Sequence, residues 1–147
     1  MKLLPVLLGG VLLISGCLNA PVQKSGGIGS VTAHDTNATA VMAAAQSVFA
    51  ARGYTFAGSD FPDAVSFDKP AGAFGNAVWG SYGDPQTIRV KLLMRPIAGT
   101  DDLRLSTQVF TVGNAGISGF DQERPLIGLW NAEFGPMLKE IARRAGD

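Results

Sequence analysis

The sequence predicts an α+β fold: a two-layer sandwich in which an antiparallel sheet of four or five strands carries an N-terminal and a C-terminal helix on one face. Apolar residues recur at helical spacing over 41–49 and again over 127–145, and between these stretches the period changes to two. Short links rich in Gly, Pro and Asp join the alternating segments, which makes consecutive strands antiparallel neighbours. Each helix has a single apolar stripe, so both cover the same sheet face and the other face is left wet.

The first helix is expected to begin near Asp35, Thr36 or Asn37, all good N-caps. Val41, Ala45, Val48, Phe49 and Arg52 follow its period, with Met42 beside them, and Gly53 is a natural C′ stop. The sequon Asn37-Ala38-Thr39 is explained by capping. Tyr54-Thr55-Phe56 then alternates, as does Val65-Ser66-Phe67-Asp68, and Lys69-Pro70-Ala71-Gly72 closes that strand. A glycine-rich loop follows, with a short strand expected around Val78 to Tyr82.

The strongest hairpin signal lies beyond it. Ile88, Val90, Leu92 and Met94 share one face, and Arg89, Lys91, Leu93 and Arg95 the other. The AGTDD segment makes the turn, after which Leu103, Leu105, Thr107 and Val109 oppose Arg104, Ser106, Gln108 and Phe110. The segment GNAGISGFDQER reads as a connector, and Pro125, favoured at the first helical position, starts the last helix. Its stripe is Ile127, Trp130, Phe134, Leu138, Ile141 and Ala145; the stripe keeps phase across Gly135-Pro136, which predicts one kinked helix.

The chain has 147 residues, enough for one domain with short appendages. Twelve basic and twelve acidic side chains cancel, so no global field recruits nucleic acid or an anionic membrane. The single cysteine, Cys17, makes neither an internal disulfide nor a Cys-rich zinc site.

Cys17 acquires a role from what precedes it. Residues 1–16 pair a positive Lys2 with an apolar run from Leu3 to Ile14. As a helix that run spans ~18 Å, short of the ~30 Å hydrocarbon core, so it reads as an export signal and not as a membrane span. Ile14-Ser15-Gly16-Cys17 resembles the lipobox of bacterial lipoprotein signal peptides: an aliphatic residue, two small residues, then cysteine. The resemblance covers residues 1–17. It implies cleavage before Cys17, a diacylglycerol on its thiol and an acyl chain on the new amine, which together hold a soluble domain at a bilayer. Leu18 replaces the Asp that retains such products in the inner membrane of enteric bacteria, so the outer membrane, facing the periplasm, is expected where the cell has two membranes. The order of elements in the rest of the chain is similar to that of small α+β modules of envelope lipoproteins, including helix-grip domains.

The expected organisation is therefore a signal peptide over 1–16, lipidated Cys17 with a flexible tether to 34, and one α+β domain over 35–147. The stretch over 18–34 is rich in Gly, Ser and small polar residues, and has a root-mean-square reach of ~20–25 Å. Its GGIGS is read as linker, because no strand precedes it and no GK[ST] follows.

No metal ligand set and no cofactor motif stands out. His34, the one histidine, ends the tether with no neighbour in sequence to position it for acid–base work. The acidic pairs Asp60/Asp63, Asp101/Asp102 and Asp121/Glu123 fall in expected turns. Two features are candidates for binding. Arg89, Lys91 and Arg95, with Arg104 across the hairpin, form a basic row on the wet face, which Asp68 partly neutralises. Trp79 and Tyr82, with Phe74, offer aromatic surface in a glycine-rich loop. The expectation is a non-catalytic, membrane-anchored lipoprotein whose domain contacts another envelope protein or cell-wall glycan. The alternative is a small-ligand or glycan-binding module using the loop aromatics and the basic face.

Overall fold

The structure is a computed structural model and describes residues 28–72, 86–113, 122–126 and 131–147. In chain order the elements are β1 (Ile28–Ala33), α1 (Ala38–Ala50), β2 (Thr55–Asp60), β3 (Ala64–Pro70), β4 (Thr87–Pro96), β5 (Leu103–Gly113), β6 (Gln122–Pro125) and α2 (Asn131–Ala145). The sheet is antiparallel with the order β1-β5-β4-β3-β2, and β6 joins the same edge of β5 beyond the end of β1. The α+β sandwich is therefore present, with six strands where four or five were expected.

Helix α1 starts where capping chemistry puts it. Asn37 has extended backbone, and its Oδ1 accepts from the Ala40 N–H at 3.0 Å. The helix ends in a Schellman arrangement. Tyr54 N–H donates to the Phe49 carbonyl and Gly53 N–H to that of Ala50, with Gly53 at φ 79°. The hydrophobic contact that accompanies this motif is Tyr54 against Phe49, edge to face at 5.4 Å.

Period two in β4 and β5 sets the core. Ile88, Val90, Leu92 and Met94 pair with Thr111, Val109, Thr107 and Leu105, all on the helix side. Val65 and Phe67 extend this surface on β3, and Val31 and Ala33 on β1. Val41, Ala44, Ala45, Val48 and Phe49 of α1 and Phe134, Met137, Leu138 and Ile141 of α2 close over it. Phe49 stacks on Phe67 at 4.3 Å and 11°, joining helix to sheet. Burying a side chain of this size contributes ~1.5–3 kcal/mol. Tyr54 is also enclosed; burial, then the charge of Glu133 and the hydrogen bond to it at 3.4 Å, push its phenol well above the ordinary value.

Three expectations need correction. The tether does not run to residue 34, because Ile28–Ala33 forms β1, paired with β5 from Ile28↔Thr107 to Ala33↔Leu103. Gly29 is the extra residue of a bulge between Ile28 and Ser30, which breaks the alternation a reader would look for. The last helix does not start at Pro125. That residue pairs with Phe110 in β6, and α2 begins at Asn131, so Pro136 falls within its second turn. Proline fits an edge strand because its missing N–H can face away from the ladder. Glu123 sits on β6 and not in a turn. The strand expected around Val78 to Tyr82, and Ile127 and Trp130 of the expected stripe, lie outside the described residues.

Two of the outer strands carry a bulge, β1 at Gly29 and β2 at Ala57, where Phe56↔Phe67 is followed by Gly58↔Ser66. Such irregularity spoils a sheet edge as a template for another chain. The chain between β1 and α1 is tied down through Thr36, whose N–H donates to the Asp101 carbonyl and whose Oγ1 donates to that of Ala145.

Thr107 is 1% exposed, and its Oγ1 has no hydrogen-bond partner. Thr107→Val keeps the shape and removes the stranded hydroxyl, so it is expected to raise stability by ~1 kcal/mol in chemical denaturation. Gly53→Ala is expected to lower stability by ~1–2 kcal/mol in the same assay. A Cβ there meets nothing closer than Lys69 Cε at 3.8 Å, so the loss reports the positive φ and not a clash.

Candidate functional site

The face of the sheet turned away from the helices is where the expected basic row lies, and the ladder register assembles it. Asp68 of β3 is the direct partner of Arg89 on β4, which in turn faces Phe110 on β5. Arg89 grips Asp68 with two parallel bonds, Nε to Oδ1 at 2.8 Å and Nη2 to Oδ2 at 2.7 Å. Its third nitrogen, Nη1, donates to Glu123 Oε1 at 3.0 Å, and Lys91 Nζ donates to Glu123 Oε2 at 2.6 Å. Lys91 Nζ also sits 4.9 Å over the Phe110 ring. Two cations and two carboxylates thus form one four-residue network over β3, β4 and β6.

Arg89 retains 14% side-chain exposure and Glu123 27%, so the network is screened less than a surface pair. Burial pushes the Glu123 carboxyl up. Hydrogen bonds and charge from Lys91 and Arg89 outweigh it and hold the group below its ordinary value. The sequence anticipated Asp68 as a partial neutraliser but not Glu123, which is distant in the chain and reaches the face only because β6 pairs with β5.

The other half of the row is arranged differently. Arg95 and Arg104 are direct partners in the β4–β5 ladder. Both are exposed, and neither guanidinium has a hydrogen bond or ion pair among the described residues. The register puts Thr32 of β1 beside Arg104, and puts Ser106 and Ser30 together on the next rung of the same face. Of the remaining candidates, Trp79, Tyr82 and Cys17 lie outside the described residues. The structure therefore brings together Arg89 with Lys91 and Arg95 with Arg104, as two separate pairs on one face.

His34 has a positioned neighbour that the sequence did not reveal. Its Nδ1 lies 3.1 Å from Asp102 Oδ2, and Asp102 Oδ1 accepts from the Asp35 N–H at 3.2 Å. The imidazole is 73% exposed, and Asp35 has φ 47°. The arrangement closes the β1–α1 link onto the β4–β5 turn. The described residues contain no group of three or more His, Cys, Asp or Glu side chains placed to hold a metal ion. No helix among them is long and apolar enough to cross a membrane.

Comparison with known proteins adds no relative: no family model matches the chain, and neither a curated protein nor a solved structure matches it.

Glu123→Gln removes the carboxylate that Lys91 and Arg89 share. It is expected to destabilise the domain by ~1–2 kcal/mol at neutral pH. Because the folded-state value of Glu123 is depressed, its contribution is complete above the ordinary glutamate range and is lost as pH falls through the folded value. Thermal unfolding of both forms from pH 7 down to pH 3 should show the gap narrowing as acid is added. A gap independent of pH would rule out the charge network as its source.

Proposed function

We propose that this chain is a bacterial envelope lipoprotein: a lipid-anchored, non-catalytic domain that contacts another envelope protein or a cell-wall component. The observation that carries the reading is the ordered leader, Lys2, the apolar run to Ile14, then Ile14-Ser15-Gly16-Cys17. Acyl chains on the Cys17 sulfur and amine, at ~0.8 kcal/mol per buried CH₂, would make attachment long-lived where a single chain would not.

The position of β1 bears on how such a domain is displayed. Residues 18–27 alone separate Cys17 from the first strand. Ten residues reach at most ~35 Å. The domain is thereby confined to the zone next to the headgroups, and outer-membrane placement facing the periplasm follows from Leu18 in a cell with two membranes. A second reading, a small-ligand or glycan-binding module, is favoured by the Arg95–Arg104 pair, which has no carboxylate partner among the described residues.

Intact-mass measurement of the chain recovered from membranes is expected to show a first residue at Cys17 and added lipid mass. A retained leader or a bare thiol would overturn the proposal. Cys17→Ser is expected to abolish membrane retention of any processed form, as read by fractionation. For the contact role, a photo-crosslinker at Ser106 on the open face should capture a defined envelope component that one at Lys139, exposed on α2, does not.

A further inference from the structure

The geometry points to Arg95 and Arg104 as a binding site for one phosphate group carried on a small polar molecule or glycan. The binding itself needs no lipid anchor; only the envelope as the source of the ligand rests on the function proposed above.

Like charges directly opposite each other in a ladder repel, with Cα atoms only ~4.5–5.5 Å apart. The same two strands show how this sheet otherwise treats cations. Arg89 and Lys91, also on β4, are each given a carboxylate, from Asp68 and Glu123. Arg95 and Arg104 receive none among the described residues, and both stay exposed. A pair of guanidinium forks at this spacing matches a tetrahedral oxyanion, which accepts bidentate bonds from each and removes the repulsion. The hydroxyls of Thr32, Ser106 and Ser30 lie on the same face by register, and none makes a hydrogen bond among the described residues. They supply neutral donors beside the charged ones.

The neighbouring acids decide the size of the ligand. Asp60 lies on the adjoining rung of this face, opposite Ala64, which pairs with Leu93. Asp63 and Asp101 are exposed in the two turns at this end of the sheet. An extended polyanion or a flat anionic bilayer that reached both arginines would also have to lie over these exposed carboxylates. A single phosphate fits between the cations without covering the acids, so a discrete phosphorylated group is selected over a charged surface.

The test uses the full chain carrying Cys17→Ser in non-ionic detergent, so its outcome is independent of lipidation. Inorganic phosphate is titrated at constant ionic strength, with chloride as the balancing anion, while the arginine Nε–H resonances are followed by NMR. Saturable shifts at Arg95 and Arg104, and a phosphate-dependent rise in thermal midpoint, are expected. Arg104→Gln should weaken binding by about ten-fold or more and abolish the rise, while its midpoint without phosphate stays equal to or above that of the parent. Arg95→Gln repeats the measurement should Arg104→Gln fold poorly. Shifts that are linear, or that chloride alone reproduces, would overturn the site as mere screening, as would full binding by both variants. In a parallel arm, phosphatidylglycerol vesicles are offered to the same protein. Arginine-dependent sedimentation with vesicles in the absence of a phosphate response would assign the pair to a lipid surface and overturn the inference.

Discussion

The β4–β5 hairpin constrains everything else in the molecule. Its register places Val90 against Val109 and Leu92 against Thr107 on one side, and Arg89 against Phe110 and Arg95 against Arg104 on the other. A slip of one residue would turn the apolar set to water and drive the guanidinium groups under the helices, so burial pins the pairing firmly. Once that register is set, α1 and α2 have one dry surface to cover, and Phe49 seated on Phe67 fixes where α1 lies.

The two outer strands of β5's far edge show how polar segments are recruited. β1 pairs with residues 103–107 of β5 and β6 with residues 110–113. Neither strand has the apolar content to form alone. Each gains ladder hydrogen bonds that β5 would otherwise offer to water or to another chain, and β1 adds Val31 and Ala33 to the core. β6 has a second effect, because it delivers Glu123 to the face where Arg89 and Lys91 stand. An edge pairing thus becomes an electrostatic fact.

Charge on the open face is distributed unevenly as a result. At the β6 end, two cations are neutralised and partly shielded, and act as part of the fold. At the hairpin-turn end, two arginines have no carboxylate partner among the described residues and stand beside hydroxyl side chains and exposed aspartates. The first arrangement stabilises the folded chain; the second has no carboxylate partner among the described residues, and it is the pair proposed above to take an anion.

By itself the sequence determined the layers, the helix side of the sheet, the two faces of the hairpin, a helix start within 35–37, the Gly53 stop and the row of cations, because each is written in local periodicity or in one residue's backbone preference. It also carries the ordered string that ends at Cys17, on which the proposed lipid anchor rests. Only the tertiary structure decided that 28–33 and 122–125 are strands, since their stability comes from a partner remote in the chain and a bulge hides the alternation of the first. For the same reason it alone divided the basic row into a neutralised pair and a bare one. Glu123 meets Arg89, and Asp102 meets His34, across separations that no spacing rule spans.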